Sequence, residues 1–336
     1  MPPPKRIVVM GTSAGGIETL RLITAALPAT FPAAVCVVIH LSPQSPGVLA
    51  SILDRSGALT ALFPENGERL QPGRIYIAPP DHHLLIEPGR VRVTKGPREN
   101  GFRPAIDPLF RSAAQVYGPN AIGVILTGNL DDGTAGLWAI KRLGGTAVVQ
   151  DPRDAIFPAM PASALAHVTV DHVVPLDGIA PLLTRLVTED APQTSGGKVV
   201  PEYLDIEVDI AKEKNAIEAG LMQVATPSSF ACPDCHGVLL QFEEGGRLRF
   251  RCHTGHAYSV ESLLAGINNG IEESLWNAIR AIEEGELLMK RMAEHVSAHR
   301  GGERTDLREA AEKARERADA LRRMVSNQQA IGTINL

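Results

Sequence analysis

The stretch that decides the fold of this chain is Lys5–Gly16, with the sequence KRIVVMGTSAGG. Its apolar run ends in a serine flanked by glycines, and an amphipathic segment follows. This pattern predicts a β-strand, a tight turn and a helix, with Ser13 on the turn. Because glycine permits a turn too tight for other residues, the Ser13 hydroxyl would stand clear of the sheet edge as a candidate nucleophile.

The same alternation of short apolar runs and helical patterns continues to residue 187. Residues 34–39 and 121–127 are apolar almost throughout, which is typical of strands buried on both faces of a parallel sheet. We therefore predict an α/β fold with a doubly wound, mostly parallel sheet. An antiparallel hairpin is expected where Pro88-Gly89 joins two further runs. The other predicted strands are residues 6–10, 75–78, 83–87, 91–94, 145–150 and 172–175, and the predicted helices are residues 16–27, 47–56, 107–117, 133–143, 161–167 and 178–187.

Length and charge limit the classes of protein that this chain can belong to. Its 336 residues leave room for one α/β domain of about 200 residues and smaller modules. A formal net charge of −5 argues against a nucleic-acid partner, because phosphate binding requires a basic face. The first residues lack the apolar core of a signal peptide, and no window resembles a membrane span. We expect a cytoplasmic protein with no membrane insertion.

Three predicted strands are each followed by a residue type that serine hydrolases use. These residues are Ser13, His40 and the pair Asp131-Asp132. In open α/β sheets functional groups gather at the carboxyl ends of the strands. There an imidazole can remove the proton of a hydroxyl, and a carboxylate can orient the imidazole. The chain order Ser, His, Asp differs from the order in α/β-hydrolases.

The residues alone leave other interpretations open. A Gly-rich turn after a first strand can hold a phosphate, although this sequence contains neither a complete G-x-G-x-x-G nor a Walker lysine. His40 could have a structural role, and the Asp-Asp-Gly sequence could be a helix N-cap.

Residues 5–187 resemble the catalytic domain of the bacterial chemotaxis protein-glutamate methylesterases, which also deamidate receptor glutamines. The motifs that carry the resemblance are GTSAGG at 11–16, VIHL at 38–41, IAPPDHH at 77–83, RPAIDPLF at 103–110, LTGNLDDG at 126–133 and FPAMP at 157–161. The resemblance implies a catalytic domain over residues 1–187 and a chemoreceptor-like helical protein as substrate. It also implies a catalytic triad of Ser13, His40 and Asp132, the aspartate directly before Gly133.

Further site residues are expected on the same basis. Backbone N–H groups near Ala14 and Asn129 would stabilise the oxyanion, and the substrate cleft would include Arg103, Asp107 and Met160.

Two features of the sequence depart from the family pattern. The first strand begins at Lys5, so we expect no N-terminal receiver domain, and Leu130 replaces a glycine of the family motif, which would reshape the oxyanion pocket.

A second cluster of reactive residues lies in the C-terminal part. Cys36 stands alone in an apolar run and is expected to be a buried hydrophobe. The remaining cysteines follow a C-x2-C-x16-C-x3-H spacing, which predicts a structural zinc site with the ligands Cys232, Cys235, Cys252 and His256. His256 is favoured over His253, which would form an awkward chelate beside Cys252. The alternative is a set of reduced, metal-free thiols.

The remaining segments complete the predicted organisation. Residues 188–229 form a linker with a short helix over 206–222, residues 230–258 form a zinc-ribbon-like module with a hairpin, and residues 259–328 form a helical hairpin with a break at Gly301-Gly302. The helices could pack on themselves, dimerise as a homo-oligomer or dock on a partner. Because the linker separates the two parts, we expect no cofactor in catalysis and no effect of the zinc on hydrolysis. The alternative function is a non-catalytic signalling adaptor that uses the zinc and helical modules.

Overall fold

The computed structural model describes residues 3–191, 201–300 and 305–326. The chain divides into two compact units, Met1–Ser262 and Leu263–Leu336. The boundary therefore lies just after the cysteine cluster. The Gly301-Gly302 break and residues 192–200 of the predicted linker lie outside the described residues.

The first unit contains a parallel sheet of seven strands in the order β3-β4-β2-β1-β7-β8-β9. Buried apolar side chains fill two layers, one on each face of this sheet. This arrangement confirms the predicted doubly wound α/β fold. The strands are β1 (Ile7–Thr12), β2 (Ala34–Ile39), β3 (Thr60–Leu62), β4 (Arg74–Ile77), β7 (Ala121–Ile125), β8 (Thr146–Gln150) and β9 (His172–Val174).

Six helices pack on the two faces of the sheet, and an antiparallel hairpin lies beside it. The helices are α1 (Gly16–Ala26), α2 (Leu49–Asp54), α3 (Ile106–Tyr117), α4 (Thr134–Arg142), α5 (Ala159–His167) and α6 (Leu176–Leu186). The predicted hairpin is confirmed as β5 (His83–Glu87) and β6 (Arg90–Thr94). The sequence analysis missed the edge strand β3, because three residues are too few to show a periodicity.

The remainder of the first unit is a four-stranded antiparallel sheet preceded by two short helices. The prediction of one helix over 206–222 is wrong, because the chain turns at Glu213 and Gly220, which have φ of +72° and +101°. The elements are α7 (Glu202–Ala211), α8 (Leu221–Val224), β10 (Thr226–Ala231), β11 (Val238–Glu244), β12 (Arg247–Cys252) and β13 (Ala257–Ser259).

Two long helices end the described chain, α9 (Val260–Arg300) and α10 (Thr305–Ser326). Arg322 on α10 donates to Glu283 on α9 and lies 5.8 Å from the Trp276 ring centroid. These contacts confirm the predicted helix pair. Within the described part of the chain, no helix combines the length and apolar character that a membrane span requires.

A buried network of ion pairs joins the antiparallel sheet to the α/β part of the first unit. Arg111 on α3 has no exposed surface and donates to Glu99 at 2.7 Å and to both carboxylate oxygens of Glu244 at 3.1 Å. Arg251 on β12 is equally buried and donates to Glu99 and Glu207. Buried charges are tolerated only when they are paired in this way, so the network fixes the sheet against α3.

Removing Arg111 should therefore destabilise the first unit severely. Arg111→Met would leave Glu99 and Glu244 buried without this partner, at an expected loss of about 3–5 kcal/mol in the free energy of unfolding. The matched control is Arg21→Met, which breaks the exposed pair with Glu18 and should leave stability nearly unchanged. Urea denaturation followed by circular dichroism measures both variants, and equal stabilities would contradict the assignment.

Candidate active site

Ser13 lies on the turn between β1 and α1. The left-handed residue of this turn is Gly15, with φ of +77°. The Ser13 N–H donates to the carbonyl of Thr127 at 3.0 Å, and the Thr127 hydroxyl donates to the carbonyl of Ala14 at 3.1 Å. A Cβ atom on Gly128 would lie 2.9 Å from Cβ of Ser13, so the neighbouring turn must pass without a side chain. The half-buried serine is thus held against the end of β7.

His40 follows β2 and connects the serine to a carboxylate. Its Nδ1 lies 3.0 Å from Ser13 Oγ, and its Nε2 lies 2.7 Å from Asp132 Oδ2. The ring stacks on Phe102 at a centroid distance of 3.6 Å and an angle of 6°. A carboxylate beside Nε2 favours the tautomer with the proton on that nitrogen. Nδ1 is then free to accept the proton of the Ser13 hydroxyl.

Asp132 is buried at the start of α4 and is surrounded by donors. Besides His40, it accepts from the Ile106 N–H at 2.7 Å and from Asn100 Nδ2 at 2.9 Å. Burial opposes ionisation, but the hydrogen bonds from His40, Ile106 and Asn100 outweigh it and lower the pKa of Asp132. The Ile106 N–H belongs to the first turn of α3, where the helix dipole also favours an anion.

The neighbouring Asp131 has different partners. It accepts from the Ser259 hydroxyl at 2.8 Å and forms an ion pair with Arg247. Both partners belong to the antiparallel sheet, whereas Asp132 bonds to His40. The two adjacent carboxylates therefore serve different contacts.

The serine and the histidine open onto a cleft of about 480 Å³. Arg103 lies in this cleft, as expected, and its guanidinium donates to Asp81. The expectation for Asp107 and Met160 is wrong, because both side chains are fully buried. Asp107 accepts from the Gly136 N–H at 2.7 Å, and Met160 packs in the apolar core. The residues that line the cleft are Ser13, Ala14, His40, Leu41, Ser42, Pro43, Arg98, Gly101, Phe102 and Arg103.

The backbone N–H groups of Ala14 and Asn129, which the sequence predicts as oxyanion donors, lie in the segments that follow β1 and β7. Among the hydrogen bonds of the described residues, neither the Ala14 N–H nor the Asn129 N–H is used as a donor, so both could serve an oxyanion. Leu130 has φ of +60°, a conformation that favours glycine, which gives a physical reason for the glycine in the family motif.

The predicted zinc ligands meet at one point, and their ligating atoms all lie within 4.8 Å of one another. Sγ of Cys235 is 3.7 Å from Sγ of Cys252, and Nδ1 of His256 is 3.6 Å from Sγ of both Cys232 and Cys252. A tetrahedral zinc with bonds of about 2.0–2.3 Å gives ligand separations of about 3.5–3.8 Å. The cluster therefore fits a tetrahedral metal ion.

Comparison with known proteins agrees with this site. A family model described as CheB methylesterase matches residues 8–183. A Leptospira interrogans relative is 42% identical over 180 residues, which cover 53% of this chain and 93% of that protein. The protein-glutamate methylesterase FrzG of Myxococcus xanthus is 37% identical over 187 residues, 55% of this chain and 56% of FrzG.

A solved structure shows the same similarity. The crystal structure of the Thermotoga maritima CheB methylesterase catalytic domain matches with 38% identity and a TM-score of 0.52. The match covers 54% of this chain and 98% of that one. The chain belongs to the CheB methylesterase family, with its catalytic domain in the α/β part of the first unit.

Sequence reasoning missed three groups that support the triad: the Asn100 side chain, the Phe102 ring and the Ile106 N–H. The only local signal is the dipeptide Asn100-Gly101, which is typical of a turn. No local pattern shows that this turn reaches Asp132, because that contact spans 32 residues.

Kinetic measurements can show which of the two aspartates, Asp131 or Asp132, is the triad acid. Asp132→Asn should lower kcat by roughly 10⁴-fold, because the amide no longer selects the required His40 tautomer. Asp131→Asn should keep most of the activity, since Asp131 bonds to Ser259 and Arg247. Hydrolysis of a small methyl ester measures both variants, and the reverse ranking would show that Asp131 is the triad acid.

Proposed function

We propose that this chain hydrolyses the methyl esters of glutamate side chains in chemoreceptors or similar helical signalling proteins, using Ser13, His40 and Asp132. The observation that carries the proposal is the continuous chain of hydrogen bonds from Ser13 Oγ through His40 to Asp132. The printed names of the family relatives supply the substrate class.

The reaction follows from the positions of these groups. Nδ1 of His40 removes the hydroxyl proton as Ser13 Oγ attacks the ester carbonyl carbon. The N–H groups of Ala14 and Asn129 stabilise the oxyanion, with about 3 kcal/mol from each donor. Collapse of the tetrahedral intermediate breaks the bond to the methoxy group, which leaves as methanol with the proton from His40. Water, deprotonated by His40, then hydrolyses the acyl-enzyme and frees the glutamate carboxyl group.

The same steps would release ammonia from a glutamine amide, the second activity in the printed names of several relatives. The complete triad speaks against the non-catalytic adaptor, because an adaptor has no need for a hydrogen-bonded nucleophile.

The cluster of Cys232, Cys235, Cys252 and His256 would hold a structural zinc. Four protein ligands leave no open position for water or substrate, so the metal would supply folding free energy and no catalytic group. We propose the helix pair α9–α10 as the surface for a homo-oligomer or for a helical partner.

Replacement of the nucleophile tests the mechanism. Ser13→Ala should abolish methanol release from a methylated receptor, while the unfolding curve stays close to that of the wild type, because the hydroxyl contributes little packing. The matched control is Ser51→Ala, an exposed serine on α2 that does not line the cleft and should retain turnover. Methanol release by the Ser13→Ala protein would refute the mechanism.

Metal analysis tests the zinc site. Protein purified under reducing conditions should contain about one zinc per chain, and Cys235→Ser should lower that content. Cys36→Ala removes a cysteine outside the cluster and should leave the metal content unchanged. A wild-type protein without bound metal would contradict the site.

A further inference from the structure

The loop Arg98–Arg103, here called the active-site loop, lies between the triad and the antiparallel sheet. Its Phe102 stacks on His40, and its Arg103 lines the cleft. Its backbone pairs with β13: the Ala257 N–H donates to the carbonyl of Arg98 at 3.1 Å, and the Asn100 N–H donates to the carbonyl of Ala257 at 2.7 Å. The loop that supports the triad is therefore joined by a short backbone bridge to β13, the edge strand of the sheet β10–β13, here called the C-terminal sheet.

The Asn100 side chain lies at the centre of this contact and is only 3% exposed. Its Nδ2 donates to Asp132 Oδ1 at 2.9 Å and to Asp107 Oδ2 at 3.1 Å. Carboxylate oxygens accept hydrogen bonds and an amide oxygen cannot donate one, so the amide nitrogen of Asn100 must face Asp132 and Asp107. Asn100 has φ of +53°, which asparagine tolerates better than most other residues.

The opposite end of the same side chain is held by β12, β13 and the first turn of α9. Asn100 Oδ1 accepts from Arg249 Nη1 at 3.2 Å, from the Ser259 N–H at 3.1 Å and from the Ser262 hydroxyl at 3.2 Å. All three donors lie in the C-terminal part of the chain, beyond residues 8–183, which the family model matches. One amide thus connects the triad acid to the C-terminal sheet.

We propose that Asn100 is a positioning residue for the esterase reaction and that the sheet β10–β13 completes the active site by holding it. Asn100 touches neither the serine nor the cleft, so it acts through Asp132 and, through that carboxylate, on His40. This inference deepens the proposed function and rests on it for the substrate used in the assay.

The metal cluster contributes to the same arrangement through chain connectivity. Cys252 is the last residue of β12, and His256 directly precedes β13. A metal bound by both residues would fix the turn that places β13 against the active-site loop. This inference couples the metal cluster to hydrolysis through the structure, whereas the sequence analysis expects no effect of the zinc on hydrolysis.

Steady-state kinetics of the full chain on a small methyl ester test the proposal. Asn100→Gly keeps the left-handed backbone but removes both contacts, and it should lower kcat about 10- to 100-fold with KM within about twofold. Ser262→Ala removes one donor to Asn100 and should lower kcat several-fold. Its matched control is Ser228→Ala on β10, a serine that donates to the Leu239 carbonyl and not to Asn100, and this variant should keep the wild-type kcat.

A second measurement does not depend on turnover. The ring N–H proton of His40 that faces Asp132 gives a downfield NMR resonance, whose chemical shift reports on the acceptor. We expect this resonance to change in Asn100→Gly and Ser262→Ala and to stay in place in Ser228→Ala. Circular dichroism confirms that each variant is folded.

The outcomes separate this inference from the proposed function. An unchanged kcat and resonance in a folded Asn100→Gly protein would overturn the positioning role. Equal effects of Ser262→Ala and Ser228→Ala would overturn the role of the C-terminal donors in holding Asn100. If the wild type hydrolyses no methyl ester, the proposed substrate is wrong, and the His40 resonance still decides whether Asn100 and the sheet position the triad.

Discussion

The structure of the first unit depends on one constraint, the need to keep the buried carboxylate of Asp132 ionised. Removing such a group from water costs several kcal/mol unless hydrogen bonds replace the lost solvation. The donors come from three parts of the chain: His40 after β2, the first N–H groups of α3, and Asn100 in the active-site loop. These parts can meet only if the sheet, α3 and the loop are all in place, so the Asp132 carboxylate is also a point of assembly.

The parallel sheet brings the triad together through strand order and register. At the end of β1, Thr12 pairs with Ile39 of β2, and the preceding residue, Gly11, pairs with Ile125 of β7. The three strands therefore end at nearly the same height, and the residues that follow them share one edge. This explains why strand-end residues could be read from the sequence as a candidate triad, since parallel strands with short connections leave few other arrangements.

The sequence predicted the doubly wound sheet, the β5–β6 hairpin, the meeting of the four metal ligands and the helix pair, because each has a local periodicity or spacing. The contact between the two sheets had no such signal. In Arg247–Arg251, the alternation of arginine with Leu248 and Phe250 suggests a strand with a solvated charged face. In the structure Arg249 and Arg251 are buried, whereas Leu248 is 39% exposed. The arginines can be buried because they pair with the carboxylates of Glu99, Asp107, Glu207 and Glu244. Glu99 and Asp107 lie about 150 residues before the strand, so no local pattern in the sequence relates them to it.

The same network shifts the pKa values of the two carboxylates that share the Asn100 amide, Asp107 and Asp132, in opposite directions. Burial raises the pKa of Asp107 to about 7 against the opposing effect of Arg111, and the nearby charge of Asp132 adds to the rise. For Asp132 the hydrogen bonds from His40 and Ile106 reverse the effect of burial and lower the pKa. Two close carboxylates rarely both ionise in a buried site, and these opposite shifts mean that Asp107 takes up a proton at a higher pH than Asp132 does. The charge then stays on Asp132, where it orients His40. Arg249, which lies 3.4 Å from Asp107 and also holds Asn100, makes the C-terminal sheet part of this balance of charge.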